Sequence, residues 1–316
     1  SIHPDMAWKS KEGWEDIVSQ KRSLSTTLFK LGKTRRNMLL ATPGIVFFVV
    51  FFAIPLISLF LISFDKPSAG IVDIQWMFKL DNYVRFFSRS LYYEAAIRSA
   101  GLATLVSVLA LLLGYPLAYV IAKTVNPNRN TLLIILVLCA MQLDMVIRLF
   151  GLMVLMGDAG LINEGLRWLG WIGDEPLPLM YNFFGVVVGL VQFSLPFMIL
   201  SLVGVIQGIN PSLEEAARSL GATRWQSFWK ITVPMSMPGI LAGMLLVFAI
   251  SFSSYVVPTL MGGWKVVVLP IHIFQQIAEL GKWQFGATIA VVMFAVSVLS
   301  MLIYQRAAAR ASGGPV

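Results

Sequence analysis

Six apolar blocks, each long enough to cross a bilayer, run through this chain at residues 38–64, 100–122, 132–156, 183–206, 238–257 and 285–304. A hydrocarbon core about 30 Å thick needs about 20 apolar helical residues to span it. Backbone N–H and C=O groups find no water there, so a spanning segment without strand alternation must be a helix. The blocks carry no period-2 pattern. The chain is therefore expected to be an all-α integral membrane protein with six transmembrane helices. Pro55, Pro116 and Pro196 lie inside the blocks, where a missing N–H and a ring clash with the preceding turn predict kinks.

Composition agrees with lipid as the solvent. Only 13% of the 316 residues are charged, against 57% hydrophobic, whereas soluble domains carry about 25% charged residues. The net charge of +8 could suggest nucleic acid, but the basic residues crowd near block ends and tails, where membrane orientation explains them. Cys139 is the single cysteine and lies in an apolar run, so no internal disulfide is available. His3 and His272 are isolated, and no Cys/His spacing suits a metal. No apolar signal segment precedes the first block, which is then expected to direct insertion itself.

Orientation follows from lysine and arginine. Six spans place both termini on one side. With the N-terminus inside, fifteen Lys and Arg fall in cytoplasmic segments, among them Lys123, Arg218, Arg224 and Lys230, against seven in outside loops. The positive-inside rule favours this arrangement. Residues 1–37 form a basic tail in which Trp14, Ile17, Val18, Leu24, Leu28 and Leu31 recur at roughly helical spacing. They suit an amphipathic helix on the inner leaflet, or else a partly disordered basic tail. Residues 38–305 read as one membrane domain and 306–316 as a cytoplasmic tail. Residues 65–97 read as a long outside loop whose aromatics, including Tyr83, Phe86 and Phe87, suit the interface.

One polar stretch between the fourth and fifth blocks, within the loop 207–237, follows helix rules. Asn210 is a good N-cap and Pro211 suits the first helical position. Glu214 and Glu215 favour the positive end of the helix dipole. Ala216 and Ala217 are strong helix formers. Gly221 can take the left-handed conformation that ends a helix. A helix of about ten residues is expected, with Leu213, Ala216, Ala217 and Leu220 near one face.

Within the spans, Asp144 and Arg148 are costly charges four residues apart, able to share a face and pair. They read either as a self-neutralising salt bridge or as a polar rung near the outer end of a translocation path. Ser251, Ser253, Ser254 and Tyr255 bring hydroxyls to the fifth block, as path residues or as packing between helices. Gly32-Lys33-Thr34 ends like a phosphate-binding loop, but position 27 is Thr rather than the required Gly. No catalytic constellation is present, so catalytic residues are expected to be none.

The polar stretch carries a recognisable pattern. Glu215-Ala216-Ala217, three residues, Gly221, nine residues, Ile231, one residue, then Val233-Pro234 resembles the "EAA" loop of permease subunits in bacterial ATP-driven (ABC) importers, with Val233 where that family has Leu. Leu113-Gly114-Tyr115-Pro116-Leu117-Ala118-Tyr119, Ile147-Arg148-Leu149-Phe150-Gly151-Leu152, Gly239-Ile240-Leu241-Ala242-Gly243 and Pro258-Thr259-Leu260-Met261-Gly262-Gly263 are similar to the spermidine/putrescine branch of that family. Together they cover about residues 40–305. The resemblance implies the type I ABC importer permease fold and a coupling helix at Glu214, Glu215, Ala216, Ala217, Leu220 and Gly221. It further implies two ATP-binding subunits that hold ATP and Mg, a second permease that is usually a different chain, and a periplasmic substrate-binding protein. The location implied is the bacterial inner membrane, and the cargo a polyamine or a related amine such as an opine or aminophosphonate. The chain departs from the branch at Ala140 and Gln142, where Pro and Trp are frequent, at Ser254, where an acid is frequent, and at Asp144, where a small or amide residue is usual. The competing reading is an ion-gradient transporter working alone. It should show an inverted repeat, and no internal repeat is seen.

Overall fold

The computed structural model describes residues 42–65 and 78–311. The proposed amphipathic helix within 1–37 lies outside the described residues. The chain divides into two compact units, Ser1–Leu61 and Ile62–Val316. All regular structure among the described residues is helical. Five helices there are long and apolar enough to cross a membrane, or six when one bent pair counts as a single span.

The first unit holds most of helix α1, Thr42–Ser63. Its Phe47–Phe51 and Phe48–Phe52 ring pairs lie 4.8 Å apart, stacked along the helix at i, i+4 spacing. A π-helical turn over Val49–Ala53 comes just before Pro55. A proline cannot donate to the carbonyl four residues back and its ring crowds it. The wider turn moves that carbonyl aside, so the kink expected at Pro55 takes the form of a π turn within a continuing helix.

The second unit begins where α1 ends. Asn82 donates to the carbonyls of Ser63 (3.3 Å) and Asp65 (2.9 Å), the Tyr83 and Ser63 hydroxyls are 2.7 Å apart, and Thr288 donates to the Ser63 carbonyl at 3.0 Å. The segment read as a loop over 65–97 is therefore partly helical: α2 is Asp81–Ser88 and α3 is Ser90–Lys123. Of the aromatics read as interfacial, Phe86 is instead buried, packed with Tyr92 and Phe285. Aromatic edge-to-face packing, at 4.9 Å between Tyr92 and Phe285, draws them inward. Helix α3 has 34 residues, about 51 Å at 1.5 Å per residue, so it projects well beyond the hydrocarbon. It stays helical through Pro116.

The third block is corrected. The structure has two helices there, α4 (Pro127–Gln142) and α5 (Met145–Met156). Between them Leu143 is extended and the Asp144 carboxylate accepts from the Val146 N–H at 2.8 Å. An aspartate that caps a new helix competes with continuation of the old one. Helix α6 (Leu161–Trp168) and α7 (Phe183–Gln207) follow, α7 continuing through Pro196. Next come α8 (Pro211–Ser219), α9 (Arg224–Met235) and α10 (Met237–Phe252). Helices α9 and α10 are bent by 62° at Ser236. The fifth span is shorter than the expected 238–257, because the backbone leaves the helix after Phe252. Helices α11 (Val256–Gly262), α12 (Leu269–Phe274) and α13 (Trp283–Ala311) complete the chain.

The core of the second unit is the mutual packing of α3, α7 and α10, with Val106, Leu190, Met198 and Val247 fully enclosed. In lipid, apolar contact alone does not drive helices together; close packing through small residues does. Met198 is held between helices at Gly114 and Gly243, where an added Cβ would lie 3.1 Å from its Cγ and 2.6 Å from its Sδ respectively.

Candidate functional site

The loop between α7 and α10 is the most organised polar part of the structure. Asn210 caps α8 by accepting from the Ser212 N–H at 3.0 Å. The helix ends at Gly221, whose φ of +92° is the left-handed conformation expected there. The Gly221 N–H reaches the Arg218 carbonyl and the Ala222 N–H reaches the Ala217 carbonyl, each at 3.0 Å. These two bonds are the Schellman arrangement that satisfies the last carbonyls. Thr223 and Gln226 then form a reciprocal capping box that starts α9. A second π turn covers Phe228–Thr232 and again ends two residues before a proline, Pro234.

Glu214 faces inward. Its Oε1 lies 2.7 Å from the Lys123 Nζ at the end of α3 and accepts from the Thr232 hydroxyl, also at 2.7 Å. Burial is the largest influence on the Glu214 carboxyl and pushes its pKa up. The hydrogen bonds from Lys123 and Thr232, with the positive charges of Lys123 and Arg218, outweigh it and hold the carboxyl below the usual carboxylate value. Glu215, Ala216, Leu220 and Gly221 are exposed, and Ala217 is half-buried. Leu220 is 90% exposed, an apolar side chain presented outward at the end of α8.

The same loop grips α3 through aromatic and hydroxyl contacts. Phe228 packs edge-on against Tyr115 (5.6 Å) and Tyr119 (5.2 Å). The Tyr115 and Ser236 hydroxyls are 2.8 Å apart. Ser236 gives its own proton to the Val233 carbonyl, so Tyr115 is the donor. Lys123, Thr232 and Ser236 were not among the site residues singled out from the sequence, and Tyr115 entered only as part of a span motif. Lys123 counted only toward topology, and Thr232 falls in an unspecified position of the motif.

The five residues proposed for a path do not form one cluster. Asp144 and Arg148 do not pair: Asp144 is spent on its cap, and Arg148 donates to the Ala140 carbonyl at 3.0 Å and lies 4.8 Å over the Phe193 ring. The salt bridge that was one of the two readings of this pair does not form, Asp144 standing before the helix as its cap instead of lying within it. Ser251 is buried, and the Ser254 N–H reaches the Ser251 carbonyl at 3.3 Å where α10 ends. Tyr255 packs against Phe274 with ring centroids 4.9 Å apart, tilted by 33°. No hydrogen bond or ion pair joins the serines to Asp144 or Arg148 among the described residues.

A multi-span bundle with a capped amphipathic helix held against one of its spans is the arrangement that the resemblance to a transport permease implied. The chain belongs to the family described as binding-protein-dependent transport system inner membrane component, whose model matches residues 26–312. It is 37% identical over 234 residues to the spermidine/putrescine transport system permease protein PotB of Escherichia coli (strain K12), covering 74% of this chain and 84% of that protein. Against PotB of Haemophilus influenzae the identity is 33% over 228 residues, covering 72% and 79%. The fold is similar to a chain of a bacterial alginate ABC transporter solved in complex with alginate pentasaccharide-bound periplasmic protein. That likeness has a TM-score of 0.67 at 19% identity, over 89% of this chain and 98% of the other. The chain is thus a multi-pass inner-membrane permease subunit of a binding-protein-dependent importer. The family and the relatives it matches are described as transport components and permease proteins.

Proposed function

We propose that this permease forms half of the path for a polyamine, or a related small amine, and that α8 is the coupling helix on which an ATPase subunit acts. Its partners are two ATP-binding subunits that hold ATP and Mg, a second, different permease chain, and a periplasmic substrate-binding protein. Both termini, the tails 1–37 and 306–316 and the loop 207–237 lie in the cytoplasm, with 38–305 as the permease domain.

The observation that carries the coupling assignment is the inward strut of Glu214 beneath an outward face of Glu215, Ala216 and Leu220. A force applied to that face reaches α3 through Lys123 and the π turn ahead of α10 through Thr232. Kinship with the two PotB proteins supports the cargo. The test is uptake of labelled spermidine into vesicles holding the assembled transporter, read with pull-down of the ATPase. Gly221→Pro and Glu215→Lys should each abolish uptake while the protein remains inserted. Normal uptake with either variant would overturn the coupling assignment. Uptake of another amine but never spermidine would reassign the cargo alone.

A further inference from the structure

A cavity of about 730 Å³ opens between the C-terminal half of α3 and the bent pair α9–α10. Leu111, Leu112 and Ile240 line one part, Trp225 and Trp229 another, and Arg224 stands at the start of α9. Leu112 is 63% exposed and Trp225 68%, so the cavity is open to the outside of the bundle. The capping box of Thr223 and Gln226 fixes where Arg224 emerges. Its guanidinium makes no hydrogen bond or ion pair among the described residues.

An apolar recess lined by two tryptophans, with a cation that has no partner among the described residues, suits an anionic amphiphile. Tryptophans settle at the headgroup level of a bilayer. Basic pockets between spans bind anionic headgroups. We propose that this cavity is a site for an anionic phospholipid, its acyl chain lying between Leu112 and Ile240 and its phosphate on Arg224. A purely apolar occupant, such as a helix of another subunit, would leave the cation without a counter-charge. A bound lipid would wedge the surface where the second span meets the coupling loop, so occupancy would bear on the stiffness of that joint. The site stands independently of the cargo and of the ATPase assignment.

The experiment places the assembled transporter in vesicles of phosphatidylcholine that contain a minority of phosphatidylglycerol. Either the phosphatidylglycerol or an equal amount of the phosphatidylcholine is brominated in its acyl chains. Bromine quenches nearby tryptophan fluorescence, and the signal of Trp225 and Trp229 is the part lost in a Trp225→Phe, Trp229→Phe variant. That part should report a relative affinity for phosphatidylglycerol about fivefold above phosphatidylcholine, as one interfacial cation supplies. Arg224→Gln should remove the preference and Arg224→Lys should keep it. Quenching of the remaining tryptophans, unchanged in both variants, reports that the protein is folded and embedded. Equal quenching by the two lipids, or a preference that survives Arg224→Gln, would overturn the proposal. So would quenching seen in the isolated chain but absent from the assembled transporter, because a protein surface would then fill the cavity.

Discussion

At the residue scale, Glu214 shows how one charge is turned to a structural use. Glutamates in the first turns of α8 were legible as helix-favouring, and both were read as facing an ATPase. Only the approach of Lys123, 91 positions earlier in the chain, decides that Glu214 turns inward while Glu215 turns out. Its carboxyl has a depressed pKa when folded. The stabilisation is therefore fully present above the ordinary carboxylate value of 4.5 and is lost as pH falls below it through the folded value. Glu214→Gln should lower the melting temperature in detergent at neutral pH and flatten its decline toward acid. The cost should be about 1.5–3 kcal/mol, the range for a hydrogen bond to a charged group. An unchanged melting curve would remove the strut. Gly221 was legible for a different reason: a φ of +92° is a local demand that glycine meets without strain.

Elements were legible where local chemistry sets them and obscure where packing does. The existence of α1, α3, α7 and α13 followed from apolar length alone. The break between α4 and α5 did not, because an aspartate in an apolar run looks the same whether it lies within a helix or caps one. The π turns before Pro55 and Pro234 were equally hidden: the prolines announce a perturbed helix, but not how the preceding carbonyl escapes. Contact between α7 and α10 rests on close approach at Gly239, where an added Cβ would meet Val205 at 2.9 Å and the Ser201 carbonyl oxygen at 3.2 Å. Gly239→Leu should push the two helices apart and cost about 1–3 kcal/mol, as overpacking does. Gly204 has nothing within 4 Å of the same position, so Gly204→Leu should be tolerated. Thermal melts of the two variants in detergent check the contrast, and equal melting temperatures would contradict the packing described.

At the scale of the whole molecule, the charge bias predicts which side each loop faces. In a background with the single native cysteine removed, Cys139→Ser, an introduced cysteine at exposed Ser212 should resist an impermeant thiol reagent in right-side-out cells. One at exposed Glu175 should react. Labelling at 212 from outside would reverse the topology and detach α8 from any cytoplasmic ATPase. The class of fold, most of the apolar spans and the position of α8 were determined by the sequence itself. Hydropathy, capping residues and the glycine at the end of α8 act over one or two turns, and lipid forbids unpaired backbone. What the tertiary structure decided are the side-chain pairings: Glu214 with Lys123 and Thr232, Tyr115 with Ser236, Met198 between two glycines, and Arg148 with Ala140 and Phe193 instead of Asp144. These depend on which helices meet and at what height. In a bilayer that is set by close packing of particular small and large side chains, which hydrophobic periodicity does not encode.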